Sequence, residues 1–169
     1  MSDGNPRIAI CPGSYDPVTN GHLDIITRAS NVFDKVVVGV VNQPVRKQKT
    51  LFTGEERRAF LTDAISELGL ENVQVEVFAN LLVEFARDQG ATALVKGLRA
   101  ISDFEYEFEM NQLNRRLASE IESVYLMASP QYSFLSSSGI KEMATFGGSV
   151  NDLVPDEVAD ALVKRLERE

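Results

Sequence analysis

The chain has 169 residues, 44% of them hydrophobic, with 25 acidic against 17 basic side chains and a formal charge of −8 at pH 7. That is the size of one domain with a real core, and so acidic a balance speaks against a broad nucleic-acid-binding surface. The lone Cys11 allows no internal disulfide, and neither a charged-then-apolar leader nor an apolar run of membrane length is found, so a reducing cytoplasm is the expected compartment.

The apolar, β-branched run from Ile8 to Cys11 predicts a first strand. The stretch from Pro12 to His22 then carries two prolines and two glycines and leads into a helical pattern with Leu23, Ile26, Ala29 and Phe33 on one side. A strand-to-helix turn of this kind aims unpaired N–H groups and the positive end of a helix at one spot, which favours an anion, most often phosphate. Ser14 and Thr19 can add hydroxyl donors, and His22, the only histidine, falls in the first helical turn. On shape alone an ordinary Gly/Pro turn fits equally well.

Val36 to Val41 is a continuous β-branched run, the mark of a strand covered on both faces in a parallel sheet. A polar segment with Arg46, Lys47 and Lys49 follows it. Thr53 with Glu56 three residues later fits a capping box, opening a helix that runs through Phe60, Leu61, Ala64 and Leu68 to a Gly69 stop. Val73 to Val77 alternates and reads as a third strand, less buried than the others. A short helix from about Leu82 to Gln89 precedes a fourth strand, Ala93 to Val95, ending at Lys96-Gly97. The next helix is expected from about Phe104 to Ala118, with Glu105, Glu107 and Glu109 suiting its dipole. Val124 to Met127 gives a fifth strand, Ser136 to Ser138 cap a helix through Lys141 and Met143, and Pro155 opens a last helix with Val158, Leu162, Val163 and Leu166 on one side.

Strands alternating with helices indicate one α/β domain over residues 1–169, a doubly wound parallel five-stranded sheet with a helical C-terminal segment from about residue 136. Such sheets bind ligands beyond the carboxyl ends of their strands, where the winding reverses. The first turn, the Arg46 loop, Lys96 to Arg99 and the serine run are all strand-to-helix connections that this topology can bring together. The cations Arg46, Lys47, Lys49, Lys96, Arg99 and Lys141 would then be focused in one cleft, although each alone reads as a solvated surface residue. There is no Cys-x-x-Cys and no second histidine, against a zinc or histidine metal site, and neither G-x-S-x-G nor a P-loop occurs.

The residues of the first turn are more specific than its shape. Ser14-Tyr15-Asp16-Pro17 followed by Thr19-Asn20-Gly21-His22 resembles the signature of the nucleotidyltransferase superfamily that carries (H/T)xGH, with Thr19 where many members have His. Lys96-Gly97-Leu98-Arg99, Asp103-Phe104-Glu105-Tyr106-Glu107 and Tyr132-Ser133-Phe134-Leu135-Ser136-Ser137-Ser138 extend the resemblance, over most of the chain, to the bacterial phosphopantetheine adenylyltransferases. It implies a Rossmann-like nucleotidyltransferase fold and transfer of AMP from ATP to 4′-phosphopantetheine, giving dephospho-coenzyme A and pyrophosphate. The attacking phosphate is already ionised at neutral pH, so the reaction needs no general base and no covalent nucleophile. It needs two anions held in line and charge stabilised on the α-phosphoryl group.

Carried over by residue, the resemblance makes His22 the donor to the α-phosphoryl oxygens, Ser14 a hydrogen bond that orients the phosphates, and Tyr15 a neighbour of the nucleotide. Lys96 binds the phosphopantetheine phosphate and Leu82 touches the pantetheine arm, while Gly97, Leu98, Arg99 and Glu107 lie along ATP. Tyr132, Ser133, Phe134, Leu135, Ser136, Ser137 and Ser138 supply further nucleotide contacts, the serines at the β- and γ-phosphates. In the loop after the second strand, which is longer than usual, Lys47 is favoured as the substrate cation and Arg46 stands beside it as the alternative. Mg2+ is expected with ATP, held by phosphates and water rather than by an acidic pair of the protein. The resemblance also implies a homohexamer. Two alternatives are another adenylyl- or cytidylyltransferase of the superfamily and a sensor that holds ATP without transferring it.

Overall fold

The computed structural model describes residues 4–45 and 49–167. Its elements run β1 (Ile8–Gly13), α1 (Asn20–Ser30), β2 (Lys35–Val41), α2 (Gly54–Glu67), β3 (Val73–Phe78), α3 (Leu82–Asp88), β4 (Ala93–Leu98), α4 (Ile101–Leu117), β5 (Glu122–Met127), α5 (Ser137–Thr145) and α6 (Asp156–Leu166). The five strands are parallel in the order β3-β2-β1-β4-β5. The winding therefore reverses between β1 and β4, and all strand-to-helix connections leave from one edge.

Alternation along each strand divides the core in two. Ala9, Cys11, Val36, Val38, Val40, Ala93 and Val95 face one layer, packed with α1, α2, α5 and α6. Ile10, Val37 and Leu94 face the other, packed with α3 and with Ala118 and Ile121 beyond α4. All three are buried to within 1% of completely, and each contributes roughly 1.5–3 kcal/mol by leaving water. Both faces of the sheet are covered, which is why these strands read as continuous apolar runs. β3 is an edge strand and keeps Gln74 exposed between buried Val73 and Val75, as its alternation predicts, but β5, the other edge, has no buried residue and is the less buried strand, contrary to expectation.

Three expectations are corrected. β4 continues past Val95, so Lys96, Gly97 and Leu98 lie in the strand and pair with Tyr125, Leu126 and Met127 of β5. Helix α4 begins three residues before Phe104, so only Asp103, and none of the glutamates, stands in its first turn. Val163 of α6 is half exposed, whereas Val158, Ala159 and Leu162 form the buried stripe. The apolar spacing could not decide this, because Ala159 is small enough to be passed over as a core position. A single 3₁₀ turn at Pro130–Tyr132 was not anticipated.

Candidate active site

Helix α1 starts with a capping box in which His22 takes the usual place of Glu or Gln. The Thr19 N–H donates to His22 Nδ1 at 2.9 Å, and the His22 N–H donates to Thr19 Oγ1 at 3.3 Å. A backbone amide can only donate, so Nδ1 is the acceptor and the neutral ring carries its proton on Nε2. The ring also stands edge-on to Tyr15, centroids 5.0 Å apart. The sequence pointed to His22, but not to Thr19 as its holder. The T-x-x-H spacing was the available signal, hidden because His is not the residue a capping box leads one to expect.

Tyr15 is only 5% exposed and donates its hydroxyl to the Cys11 carbonyl at 2.9 Å. Burial pushes that phenol well above its ordinary pKa, with Cys11 adding to the effect, and burial likewise pushes the Cys11 thiol up to about 12. Tyr15 therefore belongs to the floor of the turn. Its backbone sits in the left-handed region at φ 48°, a conformation uncommon for a residue other than glycine.

Beneath the turn lie two groups to which the sequence gave no role. Arg57 of α2 is fully buried and donates to five carbonyls: Ser14 at 2.7 Å, Val41 and Asn42 at 2.8 Å, Phe52 at 3.1 Å and Thr53 at 3.2 Å. Burial lowers its pKa, partly opposed by the charge of Asp16. Asp16, also fully buried, accepts from the N–H groups of Leu51 and Phe52 and from Lys141. Its burial would raise the carboxyl pKa, but those two amides and the lysine outweigh it and hold the group below the usual range. Lys141, expected among the cations of the cleft, is thus committed to Asp16.

Across the reversal point, Lys96 Nζ stands 2.7 Å from Glu107 Oε2, and both side chains are mostly buried. The two residues assigned to different substrates are therefore partners of one another here. Arg99 pairs with Asp103 at 3.1 Å and donates to the Leu135 carbonyl, linking the end of β4 to the stretch after β5. Asp103 also accepts from the Arg99 N–H at 3.1 Å, which serves the helix start that Ala100 cannot cap. Gly97 is required by packing, because a Cβ there would meet Ile25 of α1 at 2.8 Å.

Ser136 caps α5 by accepting from the Gly139 N–H at 3.0 Å, and Ser137 donates its hydroxyl to the Pro17 carbonyl at 2.8 Å. The serine run is thereby fixed against the first turn. Ser133 donates to Pro130, Leu135 is buried, Phe134 is 70% exposed, and Tyr132 packs its Cβ against Gly21. Leu82 opens α3 beyond β3, partly buried, beside Leu81, which is 55% exposed. Ser138 is the second residue of α5. Arg46 and Lys47 lie outside the described residues, and Lys49 is exposed. Among the described residues no group of three or more His, Cys, Asp or Glu side chains could hold a metal ion. None of the described helices is long and apolar enough to cross a membrane.

A cytidylyltransferase-like family profile matches residues 10–143, most of the chain. A phosphopantetheine adenylyltransferase of Clostridium tetani is 49% identical over 159 residues, covering 94% of this chain and 97% of the relative. One from Rubrobacter xylanophilus is 56% identical over 156 residues, covering 92% and 93%. Among solved structures, one from Vibrio parahaemolyticus provisionally assigned as a nicotinate-nucleotide adenylyltransferase superposes with a TM-score of 0.71 at 19% identity, covering 98% of this chain and 97% of its own. That likeness concerns the fold alone. Near-full-length identity of about half to the first two, on a sheet that brings Ser14, His22, Lys96, Arg99 and the serine run to one edge, places the chain in the cytidylyltransferase-like family of nucleotidyltransferases and, within it, among the phosphopantetheine adenylyltransferases.

Proposed function

We propose that the chain moves AMP from ATP to 4′-phosphopantetheine by direct in-line displacement, releasing pyrophosphate and forming dephospho-coenzyme A. The observation that carries this reading is the His22 capping box. It presents an Nε2–H donor at a helix N-terminus, edge-on to Tyr15, on the edge where β1 and β4 part. In this reading the bond from the α-phosphorus to its bridging oxygen breaks as the acceptor's phosphate oxygen bonds to phosphorus. Pyrophosphate leaves with the electron pair, and no side chain becomes covalently attached. His22 donates to the α-phosphoryl oxygens as charge develops there, and the α5 N-terminus with Ser136 to Ser138 receives the β- and γ-phosphates. Arg99, Gly97 and Leu98 run along the nucleotide.

Lys96 takes the phosphate of the acceptor. To do so it must exchange Glu107 for that phosphate, and the freed carboxylate faces hydroxyl or amino donors of the nucleotide. Arg46 or Lys47 supplies the second cation, and Leu82 lies along the pantetheine arm. Magnesium arrives with ATP as part of the substrate. The donor set supports this, because Asp16 and Asp103 are each engaged by a protein cation. The test is incubation with ATP, magnesium and 4′-phosphopantetheine followed by mass detection of dephospho-coenzyme A, with nicotinate mononucleotide as the competing acceptor. Turnover of the mononucleotide alone would overturn the reading.

The protein acts as a cytoplasmic homohexamer in this reading. Phe104 and Phe108 of α4 are each at least half exposed with their ring centroids 6.0 Å apart, an apolar patch suited to a second copy. Light scattering at micromolar concentration should return about six chain masses, and a monomer mass would remove the proposal.

A further inference from the structure

The buried ionic device under the first turn has no part in the chemistry just described. Asp16 Oδ1 accepts from the Phe52 N–H at 2.9 Å, and Oδ2 accepts from the Leu51 N–H at 2.9 Å and from Lys141 Nζ at 3.0 Å. These donors come from two separate elements, the end of the β2–α2 connection and helix α5. The Phe52 backbone stands between the two buried charges, its N–H donating to Asp16 and its carbonyl accepting from Arg57. Next to Asp16 in the chain, the Pro17 carbonyl accepts from Ser137 of α5. Helix α5 is therefore tied to the first turn at adjacent residues, once by a hydroxyl and once by a charge-assisted bond to a carboxylate that is completely buried.

We infer that Asp16 is a positioning residue for adenylyl transfer, which through Lys141 sets where the N-terminus of α5 stands relative to Ser14 and His22. The inference rests on the reading above, in which the triphosphate spans these two elements. A carboxylate held by three donors in a dry site cannot follow a sliding helix without losing charge-assisted bonds, so the spacing is fixed before substrate binds. Lys141 has the length and charge to bind a phosphate oxygen directly. Its ammonium is spent on Asp16 instead, so its effect on the reaction passes through that carboxylate.

Four variants test this: Lys141→Met, Lys141→Arg, Asp16→Asn and the double variant Asp16→Asn with Lys141→Met. Pyrophosphate release with ATP and 4′-phosphopantetheine is measured and scaled to the folded fraction. Lys141→Met and Asp16→Asn should each lower kcat/KM by about 10-fold to 100-fold, the scale of a misplacement near one ångström. The double variant should be no worse than Asp16→Asn alone, and Lys141→Arg should recover most of the activity. A second, equal loss on adding Lys141→Met to Asp16→Asn would show that the lysine touches substrate and would overturn the inference. Unchanged turnover per folded molecule with only a lowered melting temperature would overturn it as well.

Should Asp16→Asn fail to fold, the lysine variants decide through pH. Of the charged groups facing Asp16, Arg57 on α2 and Lys141 on α5, only the second is altered. Its loss removes a donor and a positive charge, so the Asp16 carboxyl pKa rises and the acid limb of kcat/KM moves to higher pH in Lys141→Met and returns in Lys141→Arg. An unmoved limb rejects the inference. Wild-type protein inactive on 4′-phosphopantetheine would instead reject the functional reading on which it rests.

Discussion

The side chain of His22 illustrates how one residue depends on another for its chemistry. With Nδ1 accepting from the Thr19 N–H, the hydrogen on Nε2 is fixed in place before any phosphate arrives. Such a donor matters most when charge shifts onto the α-phosphoryl group. His22→Ala should therefore cut kcat by roughly 10²–10³-fold while a direct titration shows ATP binding nearly intact. A large loss of ATP affinity with unchanged kcat would make His22 a binding residue instead. Thr19 acts one step back. Thr19→Ala removes the Oγ1 cap but keeps the backbone amide on Nδ1, so it should cost about 1 kcal/mol of stability and much less turnover than His22→Ala. Thr19→Ser keeps both and should behave like the parent. Parallel chemical denaturation and steady-state kinetics check the pair.

At the scale of elements, α2 does two things that its sequence advertises unequally. The Thr53/Glu56 capping box is visible as a spacing and forms as expected, the Thr53 N–H donating to Glu56 at 2.8 Å and the Glu56 N–H to Thr53 at 3.2 Å. Arg57, the next residue, looks like any helix-surface arginine, yet it gathers carbonyls from the ends of β1 and β2 and from the start of its own helix. Its fork of donors is what lets one side chain serve five acceptors, and a lysine could not. Arg57→Met should lower stability by roughly 3–5 kcal/mol, because it leaves five carbonyls without the donors that satisfy them and removes a positive charge near Asp16. A shift of the urea midpoint no larger than that of a surface substitution would contradict this account.

For the molecule as a whole, the buried carboxylate sets the response to acid. Asp16 is held low for the reasons given above. Asp34 is held low first by the Arg7 N–H and then by its guanidinium, and Glu56 by the Thr53 N–H and Arg165, which outweigh its burial. A carboxyl whose pKa is depressed on folding adds stability that is complete above its unfolded value, near about 4, and disappears as pH falls through its folded value. The melting temperature should thus be flat across neutral pH and fall once the pH drops below about 4.5, with a shallower fall in Asp16→Asn. Calorimetry over that range would show a steady slope down from neutrality if these groups were not responsible.

Local pattern determined much of this protein. Apolar runs alternating with helical periods specify the parallel α/β layers, because a strand covered on both faces must be apolar throughout. The turn from Ser14 to His22, the Lys96 to Arg99 stretch and the serine run were legible because their residue types are informative at short range. Helix ends were less so: α4 begins at Ile101 although Ala100 offers no side-chain cap, and its Asp103 carboxylate accepts from the Arg99 N–H, a bond that depends on how the chain leaves β4. The partners of charged side chains were decided only by tertiary structure. That Lys96 meets Glu107, that Lys141 meets Asp16, and that Arg57 is buried at all follow from the strand order, which brings residues as far apart as 16 and 141 within hydrogen-bonding distance. A charge has no periodicity to betray its burial, so which ions are interior is settled by packing and hydrogen bonding across the fold.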